Sequence, residues 1–240
     1  AGKGLQVIAE LPKEKLPLLE EFLNTTQIDI LCGDSPCRLD IDLRAWGQGH
    51  SARARITNHH TNLVYLERDG EVLREFPVVD AAEERMTDKS CLNVEDILRF
   101  ADTVPLEKVE DVLLRQIEMN AAIAEEGLRG AWGAQIGRIL MEDYGSDLKQ
   151  QAKAYAAAGS DARMSGCELP VVILSGSGNQ GITACMPVVT YAKQIGATKE
   201  QLCRALIVSD LVTVLQKNGI GRLSAYCGAI SAGVGAGAGI

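Results

Sequence analysis

The sequence has 240 residues, a formal net charge of −8 and 46% hydrophobic residues, which is ordinary for a globular protein of one large or two modest domains. The negative charge and the lack of a basic patch exclude non-specific nucleic-acid binding, because that binding needs clustered Lys and Arg. No apolar run reaches the ~20 residues of a membrane span, so the sequence also excludes a membrane partner.

The first part of the chain has the two-residue periodicity of strands. Residues 5–11 are predicted to form a strand, and an amphipathic helix through Leu16, Leu19 and Leu23 follows. Residues 38–46 alternate apolar with polar side chains, which predicts a half-exposed antiparallel strand.

Tight turns join the further strands that are predicted at 51–57, 63–68 and 71–76. Gly47-Gln48-Gly49 precedes the first of them, and Asp69-Gly70 between the last two is a strong hairpin signal. We therefore predict a small α+β domain with an antiparallel sheet over residues 1–90.

The rest of the chain, residues 91–240, has apolar residues at helical spacing, which predicts an all-α domain. Signals for helix starts stand at Asn93, Pro105, Ser146-Asp147 and the capping box of Thr198 and Gln201. The helix from Ser146 is predicted to end near Gly159, and apolar helical stretches are predicted at 169–174 and 182–192. Ala and Gly are frequent here, and they either let helices pack closely or leave room for a cofactor or substrate.

The segment between those two stretches is the first candidate site. It comprises Ser175, Gly176, Ser177, Gly178 and Asn179, followed by Gln180 and Gly181. Such residues let backbone N–H groups converge at a helix start, where the helix dipole favours an anion, so a carboxylate cradle is one interpretation. A flexible linker between helices is the other. The segment lacks the Lys-Ser/Thr pair of a phosphate-binding P-loop.

Seven scattered cysteines predict reduced thiols and a cytoplasmic protein. Cys227 is followed by Gly228, which would let a bulky inorganic group approach a thiolate, although a lone Cys among small residues is more often a buried apolar side chain. Cys32 and Cys37 make a poor zinc pair because no second pair follows. Cys167 and Cys185 flank the Gly/Ser segment and either line the same pocket or pack in the core.

Histidines are few, and His59 and His60 adjoin a predicted strand. Adjacent side chains on a strand point to opposite faces, so the two histidines cannot both bind one metal ion without a β-bulge. A turn is one interpretation; the other makes His60 a general base reaching a neighbouring pocket.

The chain ends on an apolar Gly/Ala run, residues 235–240, and begins without Met. We therefore expect a fragment of a longer protein whose helical domain is truncated at its C-terminus.

Three segments resemble the serine dehydratase α-chain-like family, which includes iron–sulfur L-cysteine desulfidases and is related to iron–sulfur L-serine dehydratases. They are residues 164–170, residues 175–187 and residues 224–233. The segment around His59-His60 is similar to the small α+β domain of that family, so the resemblance runs through the whole chain.

The resemblance implies an oxygen-sensitive [4Fe–4S] enzyme that acts on a small amino acid without pyridoxal phosphate. Three cysteines would hold the cluster and leave one iron open as a Lewis acid. Cys227 matches one ligand position, whereas the family's Gly-Cys-Thr-type and Cys-Asp-Gly-type motifs are absent from this sequence. The fragment itself is therefore expected to lack the cluster and to be inactive.

The implied reaction eliminates sulfide from L-cysteine, or water from L-serine, to give pyruvate and ammonia. The substrate carboxylate would lie on the backbone N–H groups of residues 175–179, or reach the open iron, and His60 stands in for the unidentified base. The alternatives are a non-catalytic amino-acid-binding protein and a purely structural helical module. The Ala/Gly-rich helices are compatible with a homodimer.

Overall fold

The computed structural model describes residues 12–37, 39–78, 88–220 and 226–240. The described residues divide into two compact units, one within residues 17–88 and the other within residues 89–240 together with residues 12–16. The strand predicted at 5–11 lies outside the described residues. The predicted class, a small α+β region followed by helices, is confirmed.

The smaller unit contains one helix and a four-stranded antiparallel sheet. Helix α1 is Leu16–Thr25, and the strands are β1 (Asp40–Gly47), β2 (His50–Thr57), β3 (Leu63–Arg68) and β4 (Glu71–Glu75), paired in chain order. The predicted turns are confirmed: Gln48-Gly49 and Asp69-Gly70 each have positive φ at both residues, as two-residue hairpin loops require.

One face of this sheet carries paired charges. Arg55 donates two hydrogen bonds to Asp40, of 2.9 and 2.6 Å, and Arg53 donates two to Asp42, of 3.0 and 2.7 Å. These bonds hold the pKa values of both carboxyls below their usual range. The strand prediction for 38–46 is confirmed over β1, but its apolar face is more open than predicted, since Leu43 is 65% exposed.

The described part of the larger unit is built from helices joined by turns and irregular segments. Its helices are α2 (Val94–Thr103), α3 (Glu110–Arg129), α4 (Ile136–Tyr144), α5 (Leu148–Met164), α6 (Gly178–Ile195), α7 (Lys199–Asn218) and α8 (Ala229–Gly239). The predicted caps Asn93 and Asp147 and the capping box of Thr198 and Gln201 are all confirmed. No described helix is long and apolar enough to cross a membrane.

Three predictions about these helices were wrong in detail. Pro105 precedes a separate 3₁₀ turn, and α3 begins only at Glu110. Helix α5 continues past Gly159 because that glycine serves packing: a methyl group there would lie 3.0 Å from Cγ2 of Ile182. Residues 169–173 are not helical, which agrees with the bias of the residue before Pro170 against helical backbone.

The core of the helical unit is built from small residues around a few large ones. Ile123, Ile182 and Leu206 are fully buried, and five alanines of α5 are buried with them. A methyl group on Gly127 would lie 2.0 Å from the carbonyl oxygen of Ala158, so α3 and α5 approach closely. Much of the Ala/Gly content therefore serves close helix packing, one of the two interpretations of the composition.

Candidate functional site

The Gly/Ser segment forms a tight turn followed at once by the first turn of α6. Leu174 and Ser177 exchange two backbone hydrogen bonds of 3.1 Å, and the residues between them, Ser175 and Gly176, have φ values of +50° and +89°. Positive φ is uncommon for a serine and places Ser175 in left-handed backbone. The segment is therefore a shaped turn and not the flexible linker of the alternative interpretation, and Gly178 to Gly181 lie within the helix.

The start of α6 presents unused backbone donors. Ser177 is the N-cap residue, but its side chain makes no capping hydrogen bond, and the first helical bond runs from Gly181 N–H to Ser177 O at 3.2 Å. No described residue accepts a hydrogen bond from the N–H groups of Gly178, Asn179 or Gln180. These donors and the positive end of the helix dipole favour an anion, as the cradle prediction requires.

Arg163, in the last turn of α5, adds a cation at the same place. Its Nη1 donates a 3.1 Å hydrogen bond to Oδ1 of Asn179, and no described acidic side chain forms an ion pair with it. A methyl group on Gly178 would lie 2.3 Å from Nε of Arg163, so a glycine is needed for the guanidinium to rest on the helix start. A cation beside a positive helix end is unfavourable until an anion neutralises both.

A buried asparagine fixes the chain segment that leads into the turn. Asn120 on α3 is fully buried, donates to the carbonyl of Val172 at 3.3 Å and accepts from the N–H of Val172 at 2.9 Å. The backbone of Val172 in turn lies against α6, since a methyl group on Gly181 would be 2.0 Å from the Val172 carbonyl oxygen. The side chain of Asn120 thus positions the turn through the backbone.

Gln180 connects the start of α6 with the segment that carries Cys227. The side chain of Gln180 is 2% exposed, and its carboxamide lies against the α-carbon of Gly228: a methyl group on Gly228 would be 2.1 Å from Cδ of Gln180. The two predicted parts of the site are therefore neighbours. The reason given for Gly228 was wrong, because the space beside its α-carbon is filled by Gln180 and is not open for an inorganic group.

Cys227 is exposed and immediately precedes α8. Ser224 and Ala225, which belong to the resemblance, lie outside the described residues. Among the residues that the structure describes, no three His, Cys, Asp or Glu side chains are grouped closely enough to hold a metal ion. Among the described residues, Cys227 therefore contributes one exposed thiol to this region, and no complete set of metal ligands surrounds it.

The other helical-domain cysteines favour packing over a pocket. Cys185 is fully buried and its thiol donates to the carbonyl of Gln116 at 3.8 Å; burial, and then the nearby Asp210, raise the pKa of this thiol. Cys167 is half-buried and packs against the helical core. Cys185 therefore does not line an open pocket beside the turn.

Asp210 on α7 is a polar group that the sequence did not single out. It accepts a 2.9 Å hydrogen bond from Nε2 of Gln116, and burial raises its pKa to about 6. Its position in a run of apolar helical residues was the available signal, but acidic residues are usually on solvated helix faces.

The remaining candidates lie in the smaller unit. His60 is exposed and lies in the turn between β2 and β3. Cys32 is exposed and Cys37 is half-buried. A shallow depression beside the β1–β2 turn is lined by Trp46, His50 and Asp69 and contains none of the predicted site residues.

Arg163 and Gln180 are the residues that sequence reasoning missed as site members. A basic residue in the last turn of a helix is common, because it suits the helix dipole, so Arg163 gave no distinctive signal. Gln180 stood inside the Gly/Ser segment, but its burial against Gly228 depends on a contact across 48 positions of the chain.

Comparison with known proteins gives one family across the chain. A family model described as "serine dehydratase alpha chain" matches residues 13–240. A UPF0597 protein of Desulfitobacterium hafniense is 48% identical over 240 residues, which is 100% of this chain and 56% of the relative. UPF0597 proteins of Lachnoclostridium phytofermentans and Treponema denticola are 44% and 42% identical and are covered over 57% and 56% of their length. The chain thus spans about half the length of these curated relatives. No solved structure matches the chain.

Proposed function

The chain belongs to the serine dehydratase alpha chain family, and from that membership we propose that it forms the substrate-binding part of an iron–sulfur-dependent amino-acid lyase. The reaction eliminates sulfide from L-cysteine, or water from L-serine, and yields pyruvate and ammonia. The enzyme is cytoplasmic in this proposal. The observation that carries it is that unused N–H groups at the start of α6 and the guanidinium of Arg163 lie together, an arrangement that we interpret as an anion site.

The anion site suits the α-carboxylate of an amino acid. The N–H groups of Gly178 and Asn179 and the guanidinium of Arg163 are all donors, and a carboxylate accepts several hydrogen bonds at once. Ser175 and Gly176 shape the turn ahead of the helix start. Fixing the carboxylate there would hold Cα and Cβ in one orientation for elimination.

Elimination breaks the Cα–H bond and the bond from Cβ to sulfur or oxygen. A base takes the Cα proton, the leaving group departs as hydrosulfide or hydroxide and is protonated, and the aminoacrylate tautomerises and is hydrolysed to pyruvate and ammonia. His60 remains our proposed base, because a neutral imidazole can accept a proton and the side chain of His60 is exposed. Replacement of His60 by Gln would then lower kcat with little change in KM.

A [4Fe–4S] cluster fits the described chain only as the recipient of one ligand, the exposed thiol of Cys227. When bound, it would supply a Lewis acid for the departing group. The remaining ligands would come from a segment of the full-length protein that corresponds to the part of the longer relatives outside the match. The contribution of the described residues is to bind and orient the substrate beside Cys227.

The test uses the full-length protein, purified without oxygen, and measures bound iron, acid-labile sulfide and the release of pyruvate from L-cysteine and L-serine. Cys227→Ser should lose most of the iron and the turnover, whereas Cys32→Ser, at an exposed thiol of the sheet unit, should keep both. A colourless and inactive protein after cluster reconstitution, unchanged by Cys227→Ser, would contradict the proposal.

An amino-acid-binding protein without turnover is the second candidate, because the anion site needs no metal. It predicts saturable binding of L-cysteine and L-serine, no pyruvate, and full binding by Cys227→Ser. If the Cys227→Ser protein instead loses both its bound iron and its affinity for the amino acids, the result favours the lyase.

A further inference from the structure

Gln180 contains a buried acceptor that no described residue uses. Its side chain is 2% exposed, and its Oε1 has no hydrogen-bond partner within the described part of the chain. Buried amide oxygens nearly always have a partner, so an orphaned one beside a proposed binding site requires an explanation.

The usual role of such a residue at a helix start is already taken. Gln180 is the third residue of α6, the position from which a Gln side chain normally accepts the N–H of the N-cap residue. Here the N–H of the N-cap Ser177 donates to the carbonyl of Leu174 instead. The carboxamide of Gln180 is thereby released from capping.

The carboxamide of Gln180 lies with one face against the α-carbon of Gly228. A methyl group on Gly228 would lie 2.3 Å from Oε1 and 2.5 Å from Nε2 of Gln180, so the amide plane is held against the chain beside Cys227. Its acceptor is part of the same helical turn as the donors of Gly178 and Asn179.

We infer that Oε1 of Gln180 accepts a hydrogen bond from the α-amino group of the substrate, and that Gln180 thereby makes the site selective for α-amino acids over other carboxylates. This inference rests on the proposed binding of a carboxylate at the start of α6. The N–H donors and Arg163 can hold a carboxylate but not an ammonium group, which is a donor only and needs an acceptor. Gln180 supplies that acceptor at the next position along the helix.

The test measures binding without turnover, by calorimetry on the full-length protein. L-Alanine and propionate share the carboxylate and the carbon chain, differ in the amino group and lack a leaving group on Cβ. The wild-type protein should bind L-alanine about tenfold more tightly than propionate, as a charge-assisted hydrogen bond allows. Gln180→Met, of similar size, should reduce this preference to about twofold and leave propionate binding unchanged.

Gln180→Glu provides the control for folding and shape, because it keeps the size and an acceptor. It should raise the preference for L-alanine above that of the wild-type protein, because the new carboxylate attracts the ammonium group of L-alanine and weakens propionate binding through like-charge repulsion. Thermal denaturation of each variant checks that it is folded. If Gln180→Met unfolds, the Gln180→Glu protein decides the question by its ratio of affinities.

The outcomes separate this inference from the proposed function. Binding of both ligands with the same ratio in the wild-type protein and the Gln180→Met or Gln180→Glu protein overturns the role of Gln180 alone. A wild-type protein that binds neither ligand overturns the carboxylate site and the role of Gln180 with it.

Discussion

Arg163 and Gly178 are in such close contact that the guanidinium occupies the space in which any other side chain at position 178 would begin. A methyl group there would be 2.3 Å from Nε of Arg163. The last turn of α5 thereby places the positive charge of Arg163 beside the positive end of α6. These two positive charges repel each other, and a bound anion would neutralise both. This contact makes the carboxylate site testable by small changes.

Replacement of Arg163 by Met should weaken propionate and L-alanine binding by about tenfold each, because a charge-assisted hydrogen bond is lost while the apolar stem is kept. The matched control is Arg138→Met, since the side chain of Arg138 on α4 is 42% exposed and its Nε lies 3.8 Å from Oε1 of Glu142. Calorimetry of both variants gives the comparison. Equal affinities in the two proteins would show that Arg163 does not contact the ligand.

Two glycines of α6 should respond differently to alanine. At Gly178 the new methyl group meets a flexible arginine, so binding should fall while the free energy of unfolding changes by less than about 1 kcal/mol. At Gly181 it meets the backbone carbonyl of Val172, and the protein should lose about 3 kcal/mol of stability. Urea unfolding measures both.

Gly233→Ala is the control for this pair. It is a helical glycine of α8 with open space beside its α-carbon, and alanine there should stabilise by about 0.5 kcal/mol through helix propensity. If all three variants have the same stability, the close approach of α6 to Val172 is not present in solution.

Asn120→Ala should destabilise the protein by about 3 kcal/mol, because both the N–H and the carbonyl of Val172 lose their partner in a buried place. Hydrogen exchange at the Val172 amide should also accelerate. Asn218→Ala, at the exposed end of α7, should leave both quantities unchanged. Slow exchange at Val172 in the Asn120→Ala protein would mean that another group holds this segment.

The raised pKa of Asp210 predicts a specific pH dependence. Since burial raises it from 3.8 to about 6, the native state keeps this proton at pH values where the unfolded chain has released it. Its contribution to stability is complete below pH 4, is lost as the pH rises to about 6, and amounts to at most about 3 kcal/mol.

Asp210→Asn removes this titration. The difference in unfolding free energy between the variant and the wild-type protein should therefore shift in favour of the variant between pH 4 and pH 7. Asp143→Asn, a substitution of the same type at an exposed position, gives the control for the general effect of removing one negative charge. A pH-independent difference for Asp210→Asn would contradict the assignment.

The features predicted correctly from the sequence are those determined by neighbouring residues. Asn93 caps α2 through a bond to the N–H of Asp96, and the hairpin turn at Asp69-Gly70 needs only two positive φ values. The charge alternation of β1 likewise indicated a strand. In each case the interactions that determine the feature are made by residues only a few positions apart in the sequence.

The features that were missed depend on distant contacts. The segment before the turn is apolar enough for a helix, yet Asn120, 52 positions earlier, holds Val172 in non-helical backbone. Helix α4 is short and leaves Ile136 and Ile139 nearly half exposed, so its periodicity was weak. Arg163 could not be assigned to the site because its bond to Asn179 forms only after α5 and α6 pack.

The hydrogen bonds between Leu174 and Ser177 also limit the number of residues that the turn can contain. Because its two ends bond to each other, it has room for two residues, and substitutions at those positions need only accept positive φ. An insertion of one residue within the start of α6 would instead rotate everything after it by about 100° around the helix axis. Gln180 would then leave Gly228 while most of α6 stayed helical. Among homologous sequences, the spacing from the turn to Gln180 should therefore vary less than the residues of the turn itself.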